Sequence, residues 1–160
     1  MKRETQILTK TSVINCGLAT AVINGLISYF TLEKVDALAN GSVTFNFLGV
    51  AIGCGLICPL FGGMTLKGVL GKNSGLDLGR KKEHIIAKFI PNQLLLGICA
   101  IGLCVTALLW GVPYLVAMCL KLNFYLPRIV WVVSIGIYSG IVASFATYLG
   151  MLRVYFAKAS

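Results

Sequence analysis

The side chains with the strongest potential chemistry are the six cysteines, two of which, Cys54 and Cys58, are four residues apart. On a helix this spacing places both thiols on one face. Thiolate and thioether sulfurs are the ligands that Cu(I) prefers, and Met64 and Met118 could join such a site. Nothing in the sequence aligns these sulfurs across helices. All six cysteines lie in or beside apolar segments, as small buried hydrophobic residues do, so we predict packing roles and no metal site.

The ionisable side chains offer no catalytic pair. His84 is the only histidine and lies beside Glu83, in a segment rich in basic residues. The other acidic residues are scattered between apolar segments: Glu4, Glu33, Asp36 and Asp77. General acid–base catalysis requires groups that are positioned together. The sequence therefore predicts neither an enzyme nor a cofactor.

The polar groups within or near the apolar segments are amides and hydroxyls, and the amides include Asn15, Asn24 and Asn46. An amide in hydrocarbon needs a hydrogen-bond partner, so Asn24, the deepest, is expected to face another helix or a wet cavity. We take the three as candidate solute-binding residues. The alternative is that they hydrogen-bond between helices without touching a solute.

Four long apolar segments must position these groups, at 11–30, 45–64, 94–118 and 129–152. A helix of about 20 apolar residues crosses the hydrocarbon core of a bilayer. The composition is 58% hydrophobic and only 12% charged, whereas about a quarter of the residues in soluble domains are charged. We predict an all-α fold: a single integral membrane domain, 1–160, forming a four-helix bundle of two tandem transmembrane hairpins.

Basic residues indicate the orientation of the chain. Of the 14 Lys and Arg residues, only Lys34, Lys121 and Arg128 lie in the loops after the first and third segments. Because cytoplasmic flanks carry the Lys and Arg excess, we predict a cell (inner) membrane protein with both termini and the loop 65–93 in the cytoplasm. The net charge of +9 then reflects membrane topology, and we expect no nucleic-acid partner.

The central loop carries a second prediction. Residues 78–93 form an amphipathic pattern in which isoleucines and a phenylalanine can face lipid. We expect an interfacial helix on an anionic cytoplasmic leaflet. Its headgroup-binding residues would be Arg80, Lys81, Lys82 and Lys88.

Small residues recur at spacing four and predict close helix packing. They are Gly17, Ala21 and Gly25 in the first segment, Gly49 and Gly53 in the second, and Gly136, Gly140 and Ser144 in the fourth. The second and fourth segments match at a constant offset, which favours a tandem repeat whose second and fourth helices pack together. We expect their glycine stripes to be contacts between the subunits of a homo-oligomer.

Three local signals complete the pattern. Pro59 is expected to kink or end the second helix, and Asn40-Gly41 is typical of a turn. The aromatic residues near the second outer loop predict an interfacial belt, with solute stacking as an alternative. They are Trp110, Tyr114, Phe124, Tyr125 and Trp131.

The stretch Ile23-Asn24-Gly25-Leu26-Ile27, followed by Tyr29-Phe30, together with the two-hairpin hydropathy profile, resembles small uncharacterised bacterial membrane proteins labelled permease-like. The resemblance implies a bacterial inner-membrane location and assigns no residue a role.

These observations favour a small oligomeric transporter, or the membrane component of a transport system, for a neutral or amphipathic solute. No Asp, Glu, Lys, Arg or His lies within 11–30, 45–64, 94–118 or 129–152, so the sequence predicts no proton relay. The alternative is a non-transporting accessory, immunity or assembly protein that binds another membrane protein.

Overall fold

The computed structural model describes residues 3–72, 93–122 and 125–157, and these are mostly helical. The elements are α1 (Arg3–Thr31), β1 (Ala37–Ala39), α2 (Asn40–Lys72), α3 (Leu94–Thr106), a π-helical segment (Ala107–Gly111), α4 (Val112–Cys119), β2 (Tyr125–Pro127) and α5 (Arg128–Ala157). The all-α prediction is confirmed. The predicted interfacial helix lies outside the described residues.

Four helical stretches are long and apolar enough to cross a membrane: Lys10–Thr31, Asn40–Gly68, Leu95–Cys119 and Arg128–Val154. They contain or closely match the four segments predicted from the sequence. Their outward faces carry large apolar side chains, and Phe30, Phe45 and Leu95 are each at least 75% exposed. Surfaces of this kind suit lipid rather than water, so the structure supports a multi-pass membrane protein.

Helix α5 is the centre of the structure. It packs along α1 on one side and along α2 on the other, while α3 packs mainly on α2. Helices α1 and α2 are consecutive in sequence but share few contacts. The predicted packing of the second span on the fourth is therefore present, and its tightest point is at Gly150, whose added Cβ would meet the backbone of Pro59.

A two-stranded antiparallel sheet joins the two loops at one end of the helices, which we call the strand end. Leu38 of β1 pairs with Leu126 of β2. Next to the sheet, the Trp131 indole Nε1–H donates to the Leu38 carbonyl oxygen at 2.9 Å, and the Arg128 N–H donates to the Asp36 carbonyl oxygen at 3.2 Å. These bonds fasten the start of α5 to the first loop.

Two local expectations need correction, and a third is tested only in part. Helix α2 continues through Pro59, so the proline does not end it, and a kink at this residue stays a prediction. Asn40-Gly41 begins α2 rather than forming a turn between elements. Trp131, expected in an interfacial belt, is 6% exposed and packs inside the cluster around Val43 and Ile135, because its indole N–H is used within the chain.

Candidate functional site

The main candidate site is a groove of about 480 Å³ between α1 and α2, which we call the α1/α2 groove. Helix α1 lines one wall with Thr20, Ile23, Asn24, Ile27, Ser28 and Thr31. Helix α2 lines the other with Phe45, Asn46, Gly49, Val50, Gly53, Cys54, Ile57 and Cys58. From Phe45 to Cys58 the groove follows α2 for about 20 Å, since a helix rises about 1.5 Å per residue.

The groove exists because α1 is held by α5 instead of α2. Gly25 and Gly136 face each other, and a Cβ added at Gly136 would lie 3.1 Å from the Ala21 carbonyl oxygen. A Cβ at Gly140 would lie 3.1 Å from the Ala21 Cβ. Only small residues allow this backbone approach. The predicted packing stripe of α1 therefore contacts α5.

The equivalent glycines of α2 have a different environment. Neither Gly49 nor Gly53 has any atom within 4 Å of an added Cβ, and both line the groove. Neither glycine is therefore a point of close helix approach in the part of the chain that the structure describes. Gly136 and Gly140 are covered by α1, which corrects the expectation that both glycine stripes are available to a second subunit.

Two of the three candidate amides meet in the groove. Asn24 and Asn46 line opposite walls, and both are half-buried. The Asn24 Nδ2–H donates weakly to the Cys54 Sγ at 3.8 Å. Asn15 is exposed on α1 and is not part of the groove lining. The amides therefore offer polar contacts inside the groove, beside the hydroxyl residues Thr20, Ser28 and Thr31.

Three cysteines lie at the end of the groove away from the strands. Cys54 and Cys58 belong to the hydrophobic core, and Cys16 packs against it. The Thr147 hydroxyl donates to the Cys16 Sγ at 3.1 Å. Residues of α1, α2 and α5 thus meet at this point. All six cysteines are unpaired thiols. Among the described residues no group of three His, Cys, Asp or Glu side chains is placed to hold a metal ion.

Sequence reasoning missed the packing of Cys16 against the core that contains the Cys54 and Cys58 pair, as well as the groove hydroxyls of Thr20 and Ser28. Cys16 is on a different helix from the pair, so residue spacing carries no signal of their contact. The hydroxyls are partly used by the helices: Thr20 Oγ1 donates to the Cys16 carbonyl oxygen at 2.7 Å.

The groove chemistry favours neutral ligands. Among the described residues that line it, none is Asp, Glu, Lys, Arg or His, so a bound charge would find no partner there in an apolar setting. Amides and hydroxyls can hydrogen-bond a neutral polar group, while Ile23, Ile27 and Ile57 provide apolar walls. The predicted headgroup residues Arg80, Lys81, Lys82 and Lys88 lie outside the described residues.

Comparison of the chain with protein-family models, with curated proteins and with solved structures found no match. The assignment of a function therefore depends on the groove and on the architecture of the helices alone.

Proposed function

We propose that this protein is a small multi-pass inner-membrane transporter, or the membrane component of a transport system, that takes a neutral or amphipathic solute into the α1/α2 groove. The observation that carries the proposal is the groove itself, with Asn24 and Asn46 on facing walls and no charged lining residue. A polar group of the solute would bind the amides, and its apolar part would lie along the isoleucines.

The groove ends at the Cys16, Cys54 and Cys58 cluster, so one chain provides only part of a path across the bilayer. A second copy, or another membrane protein, would complete it. Such a partner would cover the open side of the groove beside α2 and leave the space over Gly49 and Gly53 to the solute. In this proposal the strand end faces outward, and the basic termini and loop 65–93 face the cytoplasm.

Flux through proteoliposomes tests the proposal. Two probes represent the two solute classes: glycerol, followed by stopped-flow light scattering, and a short-chain fluorescent phosphatidylcholine, followed by dithionite quenching. The critical variant is Gly53→Leu, which fills the groove without meeting a neighbouring atom at Cβ. Ala19→Leu is the matched control, because Ala19 is exposed on α1 and does not line the groove.

The proposal predicts flux of at least one probe above that of empty liposomes, with loss in Gly53→Leu and retention in Ala19→Leu. Equal flux in both variants would exclude the groove as the path. Absence of flux for both probes, together with a stable stoichiometric membrane partner on purification, would favour the accessory, immunity or assembly function instead.

A further inference from the structure

A second cleft, of about 310 Å³, lies between α2, the third span and α5 near the strand end. It shares no lining residue with the α1/α2 groove, so its role is independent of the proposed transport function. Five aromatic residues line it: Phe47, Trp110, Tyr114, Trp131 and Tyr138. We call it the aromatic cleft.

The rings form two walls. On the third span, Trp110 and Tyr114 stack with centroids 4.8 Å apart and planes 10° apart. On the other wall, the Phe47 ring packs edge-to-face with two neighbours. Its centroid is 6.2 Å from that of Trp131 and 5.0 Å from that of Tyr138. Each wall is thus a preassembled aromatic surface.

The third span opens the cleft through a local break in its helix. The π-helical segment Ala107–Gly111 and the following α4 contain no buried residue, and this half of the span packs less closely on α2 than α3 does. Single π-helical turns are frequent at functional sites. The Trp110 indole Nε1–H donates to the Thr44 carbonyl oxygen at 3.3 Å and fixes the outer wall at this distance.

Two of the polar groups of the cleft are engaged within the chain. Asn40 Nδ2 donates to the Leu122 carbonyl oxygen at 2.8 Å, and Thr44 Oγ1 donates to the Asn40 carbonyl oxygen at 2.9 Å. The buried Tyr138 hydroxyl has no hydrogen-bond partner among the described residues, so it can bind a polar substituent of a ligand. None of the described residues that line the cleft is charged. An organic cation would therefore meet no counter-charge, although aromatic cages can bind cations.

We propose that the aromatic cleft is a binding site for a small, uncharged, planar aromatic molecule. A volume of about 310 Å³ is at the lower end of the range for small-molecule sites, which are mostly apolar and aromatic. A flat ring entering between the two walls can stack on one and present its edge to the other. A saturated ring of the same size buries similar area but lacks these ring–ring interactions.

The protein carries its own reporter, because its two tryptophans, Trp110 and Trp131, both line this cleft. The experiment uses the full chain in phosphatidylcholine nanodiscs and nitrobenzene as the quencher of tryptophan fluorescence. Benzyl alcohol and cyclohexylmethanol are then titrated as competitors, and their effects are compared at equal concentrations in the membrane. Tetramethylammonium is a third competitor. Site binding gives saturable quenching, whereas partition into lipid gives quenching that rises linearly.

Two alanine-to-phenylalanine variants provide the matched comparison. Ala117→Phe fills the cleft, which Ala117 lines, and Ala19→Phe adds the same ring to an exposed position of α1. Tyr114→Leu is a further variant that removes one ring from an exposed part of α4 and leaves the helix composition apolar. It keeps the test available if Ala117→Phe does not insert.

We expect saturable quenching that benzyl alcohol relieves at about a tenfold lower concentration than cyclohexylmethanol, as the ring–ring contribution implies. The saturable part should be lost in Ala117→Phe, weakened in Tyr114→Leu and kept in Ala19→Phe. Linear quenching in the parent chain, equal competition by the two alcohols, or stronger competition by tetramethylammonium would each overturn the proposal.

Discussion

Helices α2 and α5 carry the same small-residue spacing, yet the two stripes have opposite environments. Gly136 and Gly140 of α5 are covered by the backbone of α1, whereas Gly49 and Gly53 of α2 have nothing within 4 Å of an added Cβ. The matched positions therefore separate a closed helix seam from an open groove. Small residues permit a close approach, and the position of the neighbouring helix decides whether it occurs.

The largest expected effect comes from adding bulk to the closed seam. Gly140→Leu forces a side chain into Ala21 and the Gly17 carbonyl oxygen, each 3.1 Å from the added Cβ. We expect the free energy of unfolding to fall by about 3 kcal/mol, the upper part of the usual overpacking range. Gly53→Leu should change it by less than about 0.5 kcal/mol, as is usual away from packed contacts.

Denaturation by SDS in bicelles, followed by circular dichroism, measures both free energies. The matched pair contains the same substitution at aligned positions, so differences in helix propensity cancel. Equal losses in the two variants would mean that α2 and α5 are equally covered, which contradicts the open groove.

A double-mutant cycle sharpens the closed side of the comparison. A Cβ at Gly17 would overlap the Ser144 hydroxyl and lie 2.9 Å from the Gly140 carbonyl oxygen. Gly17→Ala should lower the free energy of unfolding by about 2 kcal/mol. In a Ser144→Gly background the same substitution should lower it by less, but it should still destabilise the protein because the Gly140 carbonyl oxygen remains close. Additivity of the two substitutions would show that Gly17 and Ser144 do not touch.

The smallest expected effect on stability lies on the open side. Asn24→Leu removes the weak bond to Cys54, and polar contacts between membrane helices average about 0.6 kcal/mol. Asn15→Leu is the matched control on an exposed face of the same helix and should be neutral. In the flux assay, Asn24→Leu should lower transport of the probe that the parent carries, and Asn15→Leu should not. Equal flux in both variants would remove Asn24 from the solute path.

The sequence predicts the helical class and the four spans well, because lipid requires satisfied backbone hydrogen bonds and about 20 apolar residues in each crossing. It also marks Gly17, Ala21 and Gly25 as positions of close approach. It does not indicate that these residues face α5 rather than α2, since spacing along one helix carries no information about its neighbour.

The details of the site depend on contacts distant in sequence. Asn24 and Asn46 are identifiable as amides in apolar segments, but their meeting across one groove follows from the placement of α1 on α5. The packing of Cys16 against the core that contains Cys58 follows from the same placement. The pairing of Leu38 with Leu126 joins loops whose short strands have no alternating pattern long enough to predict.

Disulfide cross-linking tests the central claim, that α1 packs on α5 and leaves a groove beside α2, most directly. The first pair is the native Cys16 of α1 with Thr147→Cys of α5, in a background that carries Cys54→Ala and Cys58→Ala. The control pair is Ile27→Cys with Gly49→Cys, on opposite walls of the groove, in the same background with Cys16→Ala. A protease site inserted at Lys34, which is exposed, releases α1 after denaturation unless a disulfide retains it. Each single-cysteine variant measures the background from native thiols.

The Thr147 Oγ1 lies 3.1 Å from the Cys16 Sγ, so a thiol at position 147 is close enough to form a disulfide after a small side-chain movement. Gly49 has no atom within 4 Å of its added Cβ. We predict that oxidation in native membranes retains α1 through the first pair and releases it from the second. Retention through the second pair with release from the first would contradict this packing of α1.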